Sequence, residues 1–321
     1  MRIVSLLPSV TEIVCALGLS EHLVGVSHAC DHPADVVRRV RRVTVSKLAA
    51  DGLSESEIDR RVSEATAKGE SLYALDEEAF VAVAPTVVFT QSLCSVCTVS
   101  AAAVNEATVR LFGPRVRMVS FEPKNLAETW DTILAIGQAC DVPDRAVALV
   151  EQLKAEVDQI RSLTASVRKP RVLFLEWLVP PYSAGHWIPE MIASAGGHEL
   201  LGEAGMPSVR ETVERIAQAA PEVILLGPCG FDVDRAVQDA LPLWQHPWWC
   251  GLPAVRNDRV YAVDANDYFS RPGPRLVGGV ALLAAILHGI ETGLAPKGGF
   301  RQLAPPRRAD GLFDAEAGAI H

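Results

Sequence analysis

The chain has 321 residues, 49% hydrophobic and 21% charged, with a formal net charge of −9 at pH 7. That length holds two domains or one large α/β unit with a sizeable core. The acidic balance excludes a nucleic-acid footprint, and the lack of any run of about 18 apolar residues excludes a membrane-spanning helix.

Residues 3–7 read as a short buried strand, after which Pro8-Ser9 turns the chain into an apolar helical pattern over 13–19. Ser9 is the predicted N-cap, with Glu12 three residues on at capping-box spacing. No basic n-region, apolar h-region or small-residue cleavage site precedes the strand. The predicted location is therefore cytoplasmic, or periplasmic if the true start lies upstream. Further strands are predicted at 23–27, 86–90 and 117–121, with helices at 76–83 and 99–112 between them. The basic stretch 37–42 reads as a solvated connector. Strands alternating with helices imply a mostly parallel sheet.

The middle of the chain differs. Residues 125–139 read as one helix, 141–144 interrupt it, and 145–163 form a second, with Leu149, Val150, Leu153, Val157 and Ile160 at helical spacing. Strands at 171–176, 223–227 and 260–263 then alternate with helices at 189–195, 209–219 and 276–290. The predicted fold class is α/β: two α/β lobes, 1–123 and 169–294, joined by a helical spine, 124–168, with a ligand cleft between them and a loose tail over 295–321.

Open parallel sheets bind ligands outside the carboxyl ends of their strands. The chain sets its chemically distinctive residues there. Ser9, Thr11 and Glu12 follow the first strand, His28 and Cys30 the second, and Gln91, Cys94 and Cys97 the third. In the second half the candidates are Glu176, Trp177, Tyr182, His186, Trp187, Cys229, Phe231, Asp264, Tyr268, Phe269 and Arg271. Cys94-Ser95-Val96-Cys97 lets both sulfurs reach one soft metal, zinc or iron, with Cys30, His28, His186 and Cys229 as further ligands. The same spacing suits a thiol–disulfide couple or a purely structural pair, and all three readings stay open. Cys15 and Cys140 sit in apolar helical patterns and read as buried thiols. An odd total of seven cysteines favours a reducing compartment. No Ser-His-Asp constellation or phosphate loop is present.

The ordered series Ser5-x-x-Pro8-Ser9-x-Thr11-Glu12, Gly25-Val26-Ser27 and Asp31-His32-Pro33 resembles the cobalamin- and iron-chelate-binding proteins of ABC importers. Tyr182-Ser183-Ala184-Gly185, Ala195-Gly196-Gly197 and Tyr268-Phe269-Ser270-Arg271-Pro272-Gly273-Pro274-Arg275 extend the likeness over residues 2–290, nearest to the cobalamin-binding branch. The resemblance implies a bilobal, rigid, non-catalytic clamp for cobalamin or a related metal macrocycle, and an ABC permease as partner. Relatives of this kind dock through one acidic residue on each lobe. Glu55, Glu57, Glu77, Glu78, Glu199 and Glu203 offer such groups, although solvated faces are the simpler reading. A flat, partly apolar ligand needs aromatic walls and a few polar anchors. Aromatics make up only 6% of the chain, yet they crowd the predicted cleft. The thiols at the strand ends depart from the exported pattern. They support an alternative, a cytoplasmic metal-binding or redox enzyme built on Cys94, Cys97 and Cys30 with Glu176 or His186 as acid/base. A third reading is a trafficking module that hands a metal cofactor to a partner.

Overall fold

The computed structural model describes residues 1–48, 52–68, 71–91 and 101–305. In the first lobe the strands are β1 (Ile3–Ser5), β2 (Leu23–Val26), β3 (Arg41–Arg42), β4 (Thr44–Ser46), β5 (Tyr73–Leu75), β6 (Val87–Gln91) and β7 (Arg117–Phe121). Five of them form a sheet of order β3-β2-β1-β6-β7, parallel throughout. β1 and β6 are buried on both faces, which their β-branched runs allow. The strand order reverses on either side of β1, the point where open α/β sheets leave a crevice.

The second lobe carries β8 (Arg171–Leu178), β9 (Pro181–Ser183), β10 (His198–Glu199), β11 (Val209–Arg210), β12 (Val223–Leu226), β13 (Val260–Val263) and β14 (Phe300–Leu303). β8, β12 and β13 are parallel, while β9, β11 and β14 extend the sheet antiparallel at its edges. Between the lobes run helices Leu126–Ala139 and Pro143–Leu163. The second spans about 31 Å at 1.5 Å per residue. Asp141, at φ 59°, and Pro143 at the next helix's start make the break that the sequence predicts.

One apolar cluster runs from Ile3, Val10 and Ile13 through Ile133, Ile136 and Ile160 of the spine to Val172, Met191 and Leu283. Both lobes therefore share packing through the spine, which resists wide hinge motion.

Local details differ from the sequence expectation. Helix Pro8–Ala16 starts with Pro8 in its first turn and Leu7 as N-cap, so Ser9 lies inside the helix and caps nothing. Glu12 is engaged by arginines of the other lobe rather than by a capping box. Val209–Arg210 is an edge strand, and the helix expected from 209 begins only at Val213, where Thr212 accepts the hydrogen bond of Arg215 N–H. Phe300–Leu303 pairs with β13 although the sequence places it in a loose tail. Glu55 is 3% exposed instead of solvated.

Candidate functional site

A cleft of about 430 Å³ lies between the lobes. From the first lobe come Leu6 to Ser9 after β1, Ser27 to Ala29 and Asp31 after β2, Thr44 of β4 and Gln91 of β6. From the second come Cys229 and Gly230 after β12, and Asn266 and Ser270 to Pro272 after β13. All the major contributors are strand carboxyl ends, as the topology dictates.

Arg271 closes one rim. Its guanidinium meets Asp31 at 2.5 and 2.8 Å, Asn266 Oδ1 at 2.7 Å and Glu12 Oε1 at 3.2 Å. Arg275 holds the same Glu12 carboxylate at 2.6 and 3.0 Å and reaches Asp267 at 2.9 Å. Two carboxylates of the first lobe are thus neutralised by two guanidiniums of the second, in planar bidentate geometry suited to arginine. Burial works to raise the Asp31 carboxyl, but the hydrogen bond and charge of Arg271 outweigh it and hold it below its ordinary value. Burial likewise works against the charge of Arg271, and Asp31 and Glu12 overcome it.

A second strap crosses the boundary. Glu55 Oε2 accepts the backbone N–H groups of Leu178, at 3.1 Å, and Val179, at 3.0 Å. Its Oε1 is buried without a partner. Arg235 of the second lobe donates to the Leu53 carbonyl at 2.5 Å. Burial, then Asp239, push the Glu55 carboxyl up to about 8, against the two N–H groups and Arg235.

Of the predicted site residues, Ser9, His28, Gln91, Cys229 and Arg271 border the cleft. Thr11 is fully buried behind it and donates to Ser5 Oγ at 2.9 Å. Cys30 is also fully buried, with its sulfur 3.1 Å from Thr11 Oγ1 and 3.2 Å from Ser27 Oγ. It packs in the core, where burial pushes the thiol pKa up and removes it from metal reach. Cys94 and Cys97 lie outside the described residues. Among the described residues no three His, Cys, Asp or Glu side chains converge as a metal site.

Among the described residues, those that border this cavity include no Trp, Tyr or Phe. Trp187 is a strut, its buried indole N–H donating to the Phe269 carbonyl at 2.7 Å. Phe269 is fully buried against Phe174. Trp177 packs on Phe231, whose other neighbour is the Arg235 guanidinium, 4.6 Å from the ring centroid. Tyr268 lies under Arg275 and against Gly278. Tyr182 belongs to the β8–β9 pairing. His186, at φ 52°, sits against Trp187 with burial and Lys124 holding its pKa down.

Two carboxyls predicted for the site brace loops instead. Glu176 accepts from Gly185 N–H at 2.9 Å and Ser208 O–H at 2.5 Å, and burial raises its pKa. Gly185 is required there, because a Cβ would stand 2.4 Å from Ser208 N. Asp264 caps the helical turn Ala265–Tyr268 by accepting from Asp267 N–H, and burial first raises it to about 6. Asp31, Thr44 and Asn266 border the cleft without having been singled out by sequence. Only Asp31 carried a signal, as part of Asp31-His32-Pro33 directly after a strand.

The described residues contain no helix long and apolar enough to cross a membrane. Over 288 residues the chain is 24% identical to the vitamin B12-binding protein of Vibrio cholerae serotype O1, covering 89% of this chain and 88% of that protein. It is 25% identical over 296 residues to an uncharacterised ABC transporter substrate-binding lipoprotein of Bacillus subtilis, covering 89% and 80%. The periplasmic heme-binding protein of Roseiflexus sp. RS-1 in apo form shares the fold, with a TM-score of 0.67 at 24% identity over 90% of this chain and 98% of that one. The crystal structure of the Vibrio cholerae vitamin B12 binding protein superposes with a TM-score of 0.63 at 22% identity over 89% and 96%. Residues 3–266 match the family described as periplasmic binding protein. Two α/β lobes on a helical spine, a cleft walled by both, and that match over most of its length make this chain a member of the periplasmic binding protein family.

Proposed function

We propose that the chain is a non-catalytic binding protein for a metal macrocycle of the corrin or porphyrin type, delivered to an ABC permease. The observation that carries the reading is the cleft itself, built from strand ends of both lobes and crossed at its rim by Arg271 and Asp31. Proteins named for vitamin B12 and for heme share the sequence or the fold over nearly the whole chain. Arg271 lies on the cleft rim, where a carboxylate, phosphate or amide arm of the ligand can take the place of Asp31 as its partner.

The names of the relatives place them in the periplasm or on a lipid anchor. The reading accordingly puts this chain outside the cytoplasmic membrane, in place of the cytoplasm expected from the start of the sequence. A zinc or iron ion held directly by Cys30, Cys94 and Cys97 is not part of it, because Cys30 is sealed in the core. Calorimetry and visible spectroscopy with aquocobalamin and with haemin test the reading. Saturable binding of one of them in a 1:1 ratio supports it; no heat and no spectral change with either overturns it.

A further inference from the structure

His28 stands on the first-lobe wall of the cleft, half-buried, directly after β2. Three contacts fix its ring. Nδ1 lies 2.8 Å from Thr44 Oγ1. The same oxygen accepts the His28 backbone N–H at 2.9 Å, so the side chain and its own backbone are pinned to one buried hydroxyl. Tyr73 stacks on the ring at a centroid distance of 5.0 Å and an interplanar angle of 19°. Nε2 is the ring atom left without a partner among the described residues.

Among the described residues of this wall, the neighbouring groups, the Gln91 amide included, are weaker ligands for cobalt or iron than an imidazole. Cys30 is buried beneath the wall, and Asp31 is committed to Arg271 and Asn266. Ser9, Ser27 and Thr44 offer only neutral hydroxyls, which are poor ligands for cobalt or iron. Metal-binding imidazoles characteristically have their second nitrogen held by a hydrogen-bond partner, which sets both tautomer and ring angle. Thr44 occupies that place here.

We infer that His28 is the axial ligand of the bound metal chelate, with Nδ1–H donating to Thr44 and Nε2 donating its lone pair to the metal. The inference rests on the macrocycle reading and narrows it. The cargo is a chelate whose metal has an open or exchangeable axial position, such as ferric porphyrin or an aquo-corrinoid. An axial water leaves as the Fe–N or Co–N bond forms, and the metal keeps its oxidation state.

The test uses the full chain with haemin and aquocobalamin as probes. The wild type is expected to shift the visible spectrum of the probe it binds towards that of an imidazole adduct. His28→Ala loses the shift and binds at least about tenfold more weakly, and added imidazole restores the spectrum. Thr44→Val, which keeps the ligand and frees the ring, gives an intermediate loss. Circular dichroism and thermal melts of each variant check folding, and His28→Gln serves if His28→Ala does not fold. Binding by wild type and His28→Ala with the same spectrum and the same affinity overturns the axial role and leaves the macrocycle reading standing. Failure of the wild type to bind either probe overturns both.

Discussion

Arg271 Nη1 lies 3.2 Å from Glu12 Oε1 across the lobe boundary, and neither side chain is more than 9% exposed. The pair joins a helix that opens the first lobe to a loop that follows the last parallel strand of the second. With Arg275 and Asp31 it makes closure of the cleft an electrostatic matter rather than an apolar one.

Glu12 is the compensating charge for the buried Arg271 and the half-buried Arg275, so removing it leaves both short of a partner. Glu12→Gln should cost about 3 kcal/mol in denaturant unfolding. Asp31→Asn should cost below about 1 kcal/mol, because the Asp31 side chain is 50% exposed and water replaces the contact. Equal costs for the two would contradict the asymmetry in burial.

On the proposed macrocycle reading, Asp31 competes with the ligand for Arg271. Asp31→Asn should therefore tighten binding of the macrocycle severalfold in a calorimetric titration. Weaker binding would show that Asp31 anchors the ligand instead of guarding the site.

Glu55 gives a pH signature with a defined sign. Its carboxyl moves from an ordinary 4.5 to about 8 in the folded chain. Between those values the folded state holds a proton that the unfolded state has lost, so stability falls as pH rises and levels off above about 8. Glu199, raised to about 7 by burial, and Asp264, raised to about 6, have the same sign but finish earlier. His28 and His186 are lowered from 6.5 and act with the opposite sign, below that value. Glu176, raised by burial, shares the sign, so the Glu55 part between pH 7 and 8 is read as the difference between wild type and Glu55→Gln. Chemical denaturation should show a loss there that is about 1 kcal/mol larger in the wild type than in Glu55→Gln. An identical slope in both proteins would remove Glu55 from the account.

Gly185 has no room for a methyl group, since backbone atoms of Met206, Pro207 and Ser208 stand 2.4 to 2.6 Å from where a Cβ would lie. Gly185→Ala should destabilise the second lobe by about 3 kcal/mol. A melting temperature equal to that of the wild type would refute the close approach.

Much of the fold was legible because buried parallel strands and amphipathic helices write long periodic signals. The strands around Val4, Val88 and Leu225 and the spine helix around Leu153 and Val157 are of this kind. Short edge strands write almost none: Thr44–Ser46, Tyr73–Leu75 and Phe300–Leu303 are half-exposed or exposed over most of their length. In the site, the rule of looking past strand ends found Ser9, His28 and Arg271. It could not separate loop residues that face the cleft from those that brace it. Phe269 occurs in the same loop as Arg271, and Trp187 in the loop after β9, but the indole finds a carbonyl and the phenyl ring finds Phe174, and both turn inward. Thr44 escaped notice because its role depends on a histidine 16 residues away.

A metal macrocycle held in the cleft between the lobes has to pass the residues at its mouth. Ala29 borders that cleft and is exposed, so a bulky side chain there blocks the entrance without disturbing the core. Titration of haemin and aquocobalamin into wild type and Ala29→Trp is the direct test. The account predicts 1:1 binding of one macrocycle by the wild type and a loss of at least about tenfold, ~1.4 kcal/mol, in the variant. Equal affinity in the two proteins, or no binding by the wild type, would contradict it.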